Sequence, residues 1–365
     1  MGKKICVYAI CKNELYFVDK WLESMSEADY IVVLDTGSTD GTYEKLKADP
    51  RVTRVERKIF NPWRFDVPRN ESMKLAPEDT DIFVCTDLDE TFNPGWADAV
   101  RWHWTEGITN INYLYAWNHI ETGAPNVVMV YMKIHSRGYH WKYPVHEMLV
   151  PDDGFVEHKV EVLDGSIYLH HWQDLSKPRK YYMDLLKLGV EEFPEDAYMR
   201  TFLGREYLIQ GNIEEGLKHY NVAVTLPDLY NPDRPLIMLD AFMYMVGAYE
   251  TIGDYDNALK YCKEFIKRYP DFRDPYFFMG EIYNLLGLFT LAEACVLTGF
   301  KYGVNHYSFV EKYGAWLGWG YELLGYIYYN MNDKKESLKN FETALKYKPS
   351  SEELLSMIKR CIIEE

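Results

Sequence analysis

The C-terminal half of this chain repeats itself, and that repeat constrains the fold more than any other feature of the sequence. Gly204-Arg205-Glu206-Tyr207, Gly211-Asn212, Tyr220 and Ala223 define a frame. It returns as Gly253-Asp254, Ala258, Phe265 and Pro270, and then as Gly280, Tyr283, Gly287 and Ala292. A last pass reads Leu324-Gly325, Tyr328, Asn332-Asp333, Phe341, Ala344 and Pro349. Aligned on this frame, the units start near Ala197, Leu239, Arg273 and Gly318. The second and third lie 34 residues apart, and the first and third units carry insertions. A period of this size predicts stacked helix pairs that bury their apolar faces on one another. The helical texture begins near Ser176, and Tyr181 to Pro194 reads as a lone second helix at the front of the array.

The first half has a different grammar. Short β-branched runs (Ile5-Ala9, Tyr30-Leu34, Val52-Lys58, Ile82-Thr86) alternate with helical patterns at Leu15-Ser24, Tyr43-Ala48 and Pro68-Leu75. Such alternation predicts a mainly parallel sheet with helices on both faces. In sheets of that kind the ligand lies outside the carboxyl ends of the strands. Lys12-Asn13-Glu14, Asp35 to Thr39 and Asp87 to Glu90 all fall at those ends, so three loops converge on one crevice. Two domains are expected, 1–175 and 176–365.

Charge narrows the function. The net charge is −16, with 40 basic against 56 acidic residues, which disfavours a nucleic-acid partner. No run of 18 apolar residues predicts a membrane span. The apolar stretch Ile5 to Cys11 after Lys3-Lys4 is too short for a secretory signal. Six cysteines without a CxxC pair point to a reduced, cytoplasmic setting.

Several residues are suited to chemistry. Asp87-Leu88-Asp89, followed by Glu90, closes the apolar run Ile82-Cys85, and carboxylates at i and i+2 after a buried strand can grip a hard divalent cation. An acidic loop of this kind can equally stay solvated or cap a helix. Asp35 ends its strand where the base or ribose of a nucleotide would lie, while Asp40 is placed to cap the next helix. Arg69, at a helix start, is either a phosphate contact or a surface cation, and Asn70 can fix a loop. Trp141 and Tyr143 are either walls for a sugar ring or core aromatics. Glu147 is a candidate general base, and His146 can orient it, approach a metal or be a buried structural histidine. His171, in His170-His171-Trp172 after an apolar run, is either a further metal ligand or structural.

Taken in order, these motifs resemble family 2 glycosyltransferases of the GT-A fold with C-terminal tetratricopeptide repeats. The resemblance runs through Ala9-Ile10-Cys11-Lys12-Asn13-Glu14, Val33 to Thr42, Phe65 to Asn70, Thr86 to Glu90, Val145-His146-Glu147 and Leu169-His170-His171. The subgroup is similar to sublancin-type peptide S-glycosyltransferases. The resemblance implies a Rossmann-like GT-A domain followed by an all-α repeat domain. It implies a UDP-sugar donor bound by Lys12, Asp35, Arg69, Asp87, Asp89 and Trp141, with Mn²⁺ or Mg²⁺ held by Asp89 and His171. Glu147 is then the leading candidate base for an inverting transfer. Two positions depart from the pattern: Pro68 replaces the usual Ala before Arg69-Asn70, and Thr36 stands where many members carry a second Asp.

The expectation is therefore a metal-dependent inverting glycosyltransferase acting on a protein or peptide acceptor. The repeats would offer either an acceptor surface or a homodimer contact. The alternatives are a transferase acting on lipid-linked or cell-surface glycan, and a catalytically inactive repeat scaffold.

Overall fold

All seven positions of strand β1 (Ile5–Cys11) are buried, and its alternate side chains enter two separate cores. Ile5, Val7, Ala9 and Cys11 face helices α1 (Val18–Met25), α2 (Thr42–Ala48) and α4 (Trp96–His103), packing with Trp21, Leu46 and Trp96. Cys6, Tyr8 and Ile10 face the other way, toward Leu75, Trp141 and Leu149. A strand covered on both faces reads as an unbroken apolar run, as ICVYAIC does.

The computed structural model describes residues 2–119, 123, 125–173, 182–230, 235–302, 311–312 and 315–363. They form two compact units, Met1–Glu192 and Phe193–Glu365. The expected boundary at 175/176 lies outside the described residues.

The first unit also contains β2 (Tyr30–Asp35), β3 (Arg54–Arg57), α3 (Asp66–Met73), β4 (Ile82–Cys85) and β5 (Glu90–Phe92). After α4 come β6 (Asn110–His119), β7 (Pro125–His135), β8 (Tyr139–Lys142), β9 (Met148–Pro151), β10 (Lys159–Val162), β11 (Tyr168–His171) and α5 (Tyr182–Glu192). The strand order of the main sheet is β3-β2-β1-β4-β7-β6-β11-β5, with β10 beside β6, and β8 and β9 form a separate pair. Pairs among β1 to β4 are parallel, but β7 runs antiparallel to both β4 and β6, and β5 antiparallel to β11. β10 and β11 both run parallel to β6, so the sheet is mainly parallel, as expected, but mixed, with antiparallel pairing at β7 and β5. The physical reason at β7 is the short connection between β6 and β7, too short for a crossover, which forces the chain straight back. Helix α5 belongs to this unit: Tyr182 packs on Phe65 at 6.3 Å, and Glu192 pairs with Arg64 at 2.7 Å.

In the second unit, helices pair as α6 (Ala197–Ile209) with α7 (Ile213–Ala223), and α8 (Pro235–Thr251) with α9 (Tyr255–Arg268). Then α10 (Asp274–Leu285) pairs with α11 (Phe289–Gly299), and α12 (Ala315–Asn330) with α13 (Lys334–Leu345), before α14 (Glu352–Ile363). The insertions expected in the first and third units fall between α7 and α8 and between α11 and α12, partly outside the described residues. The repeated turn has a local cause. Gly211 and Gly253 adopt φ of 80° and 75°, and Asn332 takes 64°, in the left-handed region that ends a helix. The next residue in each case, Asn212, Asp254 or Asp333, caps the following helix by accepting from the backbone N–H three residues on.

Small residues on one helix admit large ones on its partner. A methyl group at Gly325 would sit 2.5 Å from the Phe341 ring, and Phe341 is fully buried. Phe341→Ala is expected to cost about 3–5 kcal/mol, measured by urea unfolding followed by circular dichroism.

Helices α8, α10 and α12 carry Glu250, Glu281 and Glu322. Burial first, then the like charges of Glu250 and Glu322, push the Glu281 carboxyl pKa up to about 7. Between its ordinary value and about 7 the folded chain holds a proton that the unfolded chain has lost, so this group's effect on stability worsens as pH rises through that window. Glu281→Gln is expected to leave the melting midpoint unchanged at pH 4. At pH 8 it should raise the midpoint by about 2–4 °C, the shift that about 1 kcal/mol produces in a unit of this size.

Candidate functional site

The carboxyl ends of β1, β2 and β4 lie side by side, with Cys11 in register with Asp35 and Tyr8 with Cys85. Lys12, Asp35 and Asp87 therefore leave the sheet from one edge, and Lys12 is exposed there.

Asp35 does not present a free carboxylate. Its side chain is fully buried; Oδ1 accepts the Gly37 and Ser38 N–H groups at 3.1 Å each and Arg57 Nε at 2.8 Å. Oδ2 accepts the Cys11 thiol at 3.6 Å. Burial opposes its charge, but the donors of Ser38, Arg57 and Gly37 outweigh it and hold its pKa below the usual carboxylate range. Asp35 thus ties the loop, while Arg57 lies over the Tyr43 ring at 4.1 Å. Thr36 is buried and donates its hydroxyl to the Cys11 carbonyl at 3.0 Å. Asp40 bonds the Thr42 and Leu15 N–H groups, and the cap position of α2 itself is Gly41.

After β4 the chain makes a closed turn: the Glu90 N–H donates to the Asp87 carbonyl at 3.1 Å, and the Asp87 N–H to Glu90 Oε2 at 2.9 Å. Arg69, buried on α3, forks between Asp87 (Nη2 to Oδ1 3.0 Å) and Glu147, and its Nη1 also donates to Cys85 Sγ at 3.4 Å. Lys133, from β7, meets Glu90 Oε1 at 3.3 Å and Asp87 Oδ2 at 3.5 Å. Burial disfavours the Asp87 carboxylate, yet Arg69 and Lys133 hold its pKa well below the ordinary value. Burial likewise opposes the Lys133 charge, and Glu90, Tyr131 and Asp87 reverse it, so the ammonium stays protonated.

Asp89 faces a different partner. Residue His171 is in register with Glu90, and its Nε2 lies 3.3 Å from Asp89 Oδ2. His171 Nδ1 lies 3.0 Å from the Trp117 carbonyl, which can only accept, so Nδ1 carries a proton; Nε2 then turns a lone pair toward Asp89 in the neutral ring and donates to Oδ2 in the charged one. Two acceptors facing one another need a cation or a proton between them. Burial lowers the His171 pKa, but Asp89 and Glu90 more than offset it and raise it. Among the described residues no group of three or more His, Cys, Asp or Glu is arranged to hold a metal ion. Asp89 and His171 form a pair, and a hard cation there would take its remaining oxygens from a ligand or water.

Glu147 follows a strained turn between β8 and β9, where Tyr143 and His146 adopt φ of 82° and 50°. The turn is clamped to α3. Asn70 donates to the Trp141 carbonyl and accepts from its N–H, both at 2.8 Å, and the Phe65 N–H donates to the Pro144 carbonyl at 2.8 Å. The expected donor contact of Trp141 is not what its ring does. It is 4% exposed, and its Nε1 donates to Tyr8 Oη at 2.9 Å within the core. Tyr143 is buried as well.

Arg69, Asp87 and Glu147 thus form one ion-paired chain with Lys133 and Glu90, Asp89 and His171 form a separate pair on the same turn, and Asp35 knots a neighbouring loop. Lys133 and Arg57 were missed in the sequence. Lys133 had a signal: a lysine within the apolar run Met129 to Ile134 must be buried, and a buried ammonium needs carboxylates. Arg57, at the partly exposed end of β3, had none.

Two family models of the tetratricopeptide repeat match the chain, at residues 240–271 and 320–351, the α8–α9 and α12–α13 pairs. The second unit therefore carries tetratricopeptide repeats behind a mixed α/β unit. No curated protein matches the chain. Among solved structures, the chain is similar to a thermophilic tetratricopeptide-repeat protein of Thermus thermophilus, at 19% identity over 50% of this chain and 89% of that one, with a TM-score of 0.38. It is also similar to a tetratricopeptide-repeat protein of Parabacteroides merdae, at 17% identity over 50% and 64% of the two chains and a TM-score of 0.38. The MamA protein of Desulfovibrio magneticus matches at 13% identity over 47% and 87%, with a TM-score of 0.38. No helix among the described residues is long and apolar enough to cross a membrane.

Proposed function

We propose that the chain is a metal-dependent inverting glycosyltransferase that moves a sugar from a UDP-sugar to a protein or peptide acceptor. The observation that carries this reading is the Asp87–Glu90 turn. It closes a central strand one strand away from the Asp35 loop, and Asp89 Oδ2 faces His171 Nε2 at 3.3 Å. The ordered family 2 motifs, and an antiparallel β7 beside β4 after the parallel order β3-β2-β1-β4, favour the same reading. Mg²⁺ or Mn²⁺ at Asp89 and His171 would neutralise the departing diphosphate, so that no acid is required.

The chain's own residues do the rest. The loop tied by Asp35, with Arg57, receives the nucleoside. Asp87, turned by Arg69, orients the donor sugar or ribose. Glu147 takes the proton of the acceptor as its nucleophile attacks C1, and UDP leaves from the opposite face. Arg69 bridges Glu147 and Asp87, so base and donor carboxylate are set by one guanidinium. The repeats present surface for a polypeptide acceptor or for a second copy of the chain.

A repeat scaffold without catalysis is the second reading, favoured by the repeat matches at 240–271 and 320–351. Incubation with UDP-glucose, UDP-galactose and UDP-N-acetylglucosamine, with and without Mn²⁺, separates the two. Metal-dependent release of UDP supports the transferase. Absence of both hydrolysis and binding for every donor would leave the scaffold.

A further inference from the structure

The outer side of helix α11 lacks the charges that the solvent face of a surface helix carries. Ala292, Val296 and Gly299 form its buried side, and its one charged residue, Glu293, accepts the Tyr328 hydroxyl of α12 at 2.6 Å. Leu291, Ala294, Cys295 and Thr298 instead line an open groove of about 390 Å³. Leu291 is 51% exposed, and Leu288, one turn before it, 46%. The facing wall comes from α9, the second helix of the preceding pair, as Lys263, Ile266 and Lys267, and Met279 of α10 also lines the groove. No carboxylate does so, although the chain carries 56 acidic against 40 basic residues. Lys263 and Lys267 are both exposed and stand one helical turn apart on the same side of α9.

We propose that this groove is a docking site for an amphipathic helical segment of a partner protein, with leucine-sized side chains along one stripe and carboxylates one turn apart beside it. An apolar channel between two helices accepts a third helix, whose side chains pack as a ridge into the groove. Such a stripe would cover Ile266, Met279 and Leu291, and the unbranched Met279 adapts to its shape. Carboxylates at i and i+4 of the partner would then meet Lys263 and Lys267, which have the same spacing. A cationic segment would meet two ammonium groups here and find carboxylates elsewhere on a chain of net charge −16. The groove lies wholly within the second unit, so the proposal stands whether or not the first unit transfers a sugar.

Cys295 supplies the readout, because it lines the groove and is half-buried while the other cysteines are buried. Its alkylation by N-ethylmaleimide in the full chain is followed by mass spectrometry of the digested protein. The probe is a synthetic peptide of about 18 residues, long enough to be helical, with Leu at i, i+3, i+4 and i+7 and Glu at i and i+4 beside them. Its control carries Lys in place of each Glu. The acidic peptide is expected to slow alkylation of Cys295 at least about tenfold at saturation and to bind about tenfold more tightly than the basic one. High salt should narrow that difference. Lys263→Glu/Lys267→Glu changes only exposed positions, its fold is checked by circular dichroism, and it is expected to bind the basic peptide more tightly than the acidic one. Equal affinities for the two peptides, alkylation of Cys295 untouched by the acidic one, or an unchanged preference in the double variant overturns the proposal. So does protection of Cys295 that grows with protein concentration alone, the mark of a second copy of this chain in the groove. Protection by phosphatidylglycerol vesicles and not by the acidic peptide would assign the groove to a membrane surface and overturn it too.

Discussion

Asp89→Ala is expected to lower turnover of the proposed transfer by about a thousandfold or more, roughly 4 kcal/mol of transition-state stabilisation, while leaving the fold nearly as stable as before. The large first effect follows from Asp89 being the carboxylate of the turn that faces His171 Nε2 rather than a lysine or arginine. The small second effect follows from what Asp89 holds in the fold. Its carboxylate has His171 as side-chain partner, and its carbonyl still accepts the Trp172 N–H at 2.8 Å after truncation. A midpoint within a few degrees of the wild type, with Mn²⁺ binding lost, is the expected pair of results from a thermal melt and a metal titration. Near-wild-type turnover in the presence of metal would sink the assignment.

Arg69→Ala is expected to do the opposite to stability. It leaves the largely buried Glu147 without the guanidinium that faces it, and the half-buried Asp87 with Lys133 alone. Removing one member of a buried ion pair costs about 3–5 kcal/mol because the remaining charge stays behind. In a unit of this size the melting midpoint should fall by roughly 10 °C, and turnover should be lost as well. Arg69→Lys is expected to recover little of either, since one ammonium cannot reach Asp87, Glu147 and Cys85 along separate N–H directions. A loss below about 1 kcal/mol by chemical denaturation would show that the bridge is not the strut described.

Much of this site was readable along the chain. A strand such as Ile82-Phe83-Val84-Cys85 ending in Asp87, Asp89 and Glu90 announces a polar strand end, and alternation with helices places similar ends together. Local chemistry also made the repeat turns legible, because Gly-Asn and Gly-Asp pairs combine a left-handed residue with a helix cap. Trp141 was open to two readings because an aromatic in a strand carries no sign of which face it takes. The face was decided by Tyr8, whose hydroxyl accepts its N–H across the core. Asp35 was legible as a strand-end carboxylate but not as a buried one. Its burial depends on Arg57 arriving from β3 and on a loop that turns its own N–H groups inward.

The sequence by itself determined the two kinds of unit, the repeat frame, and which loops could meet at the sheet's polar edge. Periodicity and turn chemistry are local, and those properties follow from them. Only the tertiary structure decided the pairing of charges within the site. Arg69 and Lys133 come from α3 and β7, far apart along the chain, and their reach depends on an antiparallel strand inserted beside β4. That insertion is what separates Asp89 from Asp87 and Glu90, for a buried cation goes to whichever carboxylates the folded strands bring within about 4 Å of it.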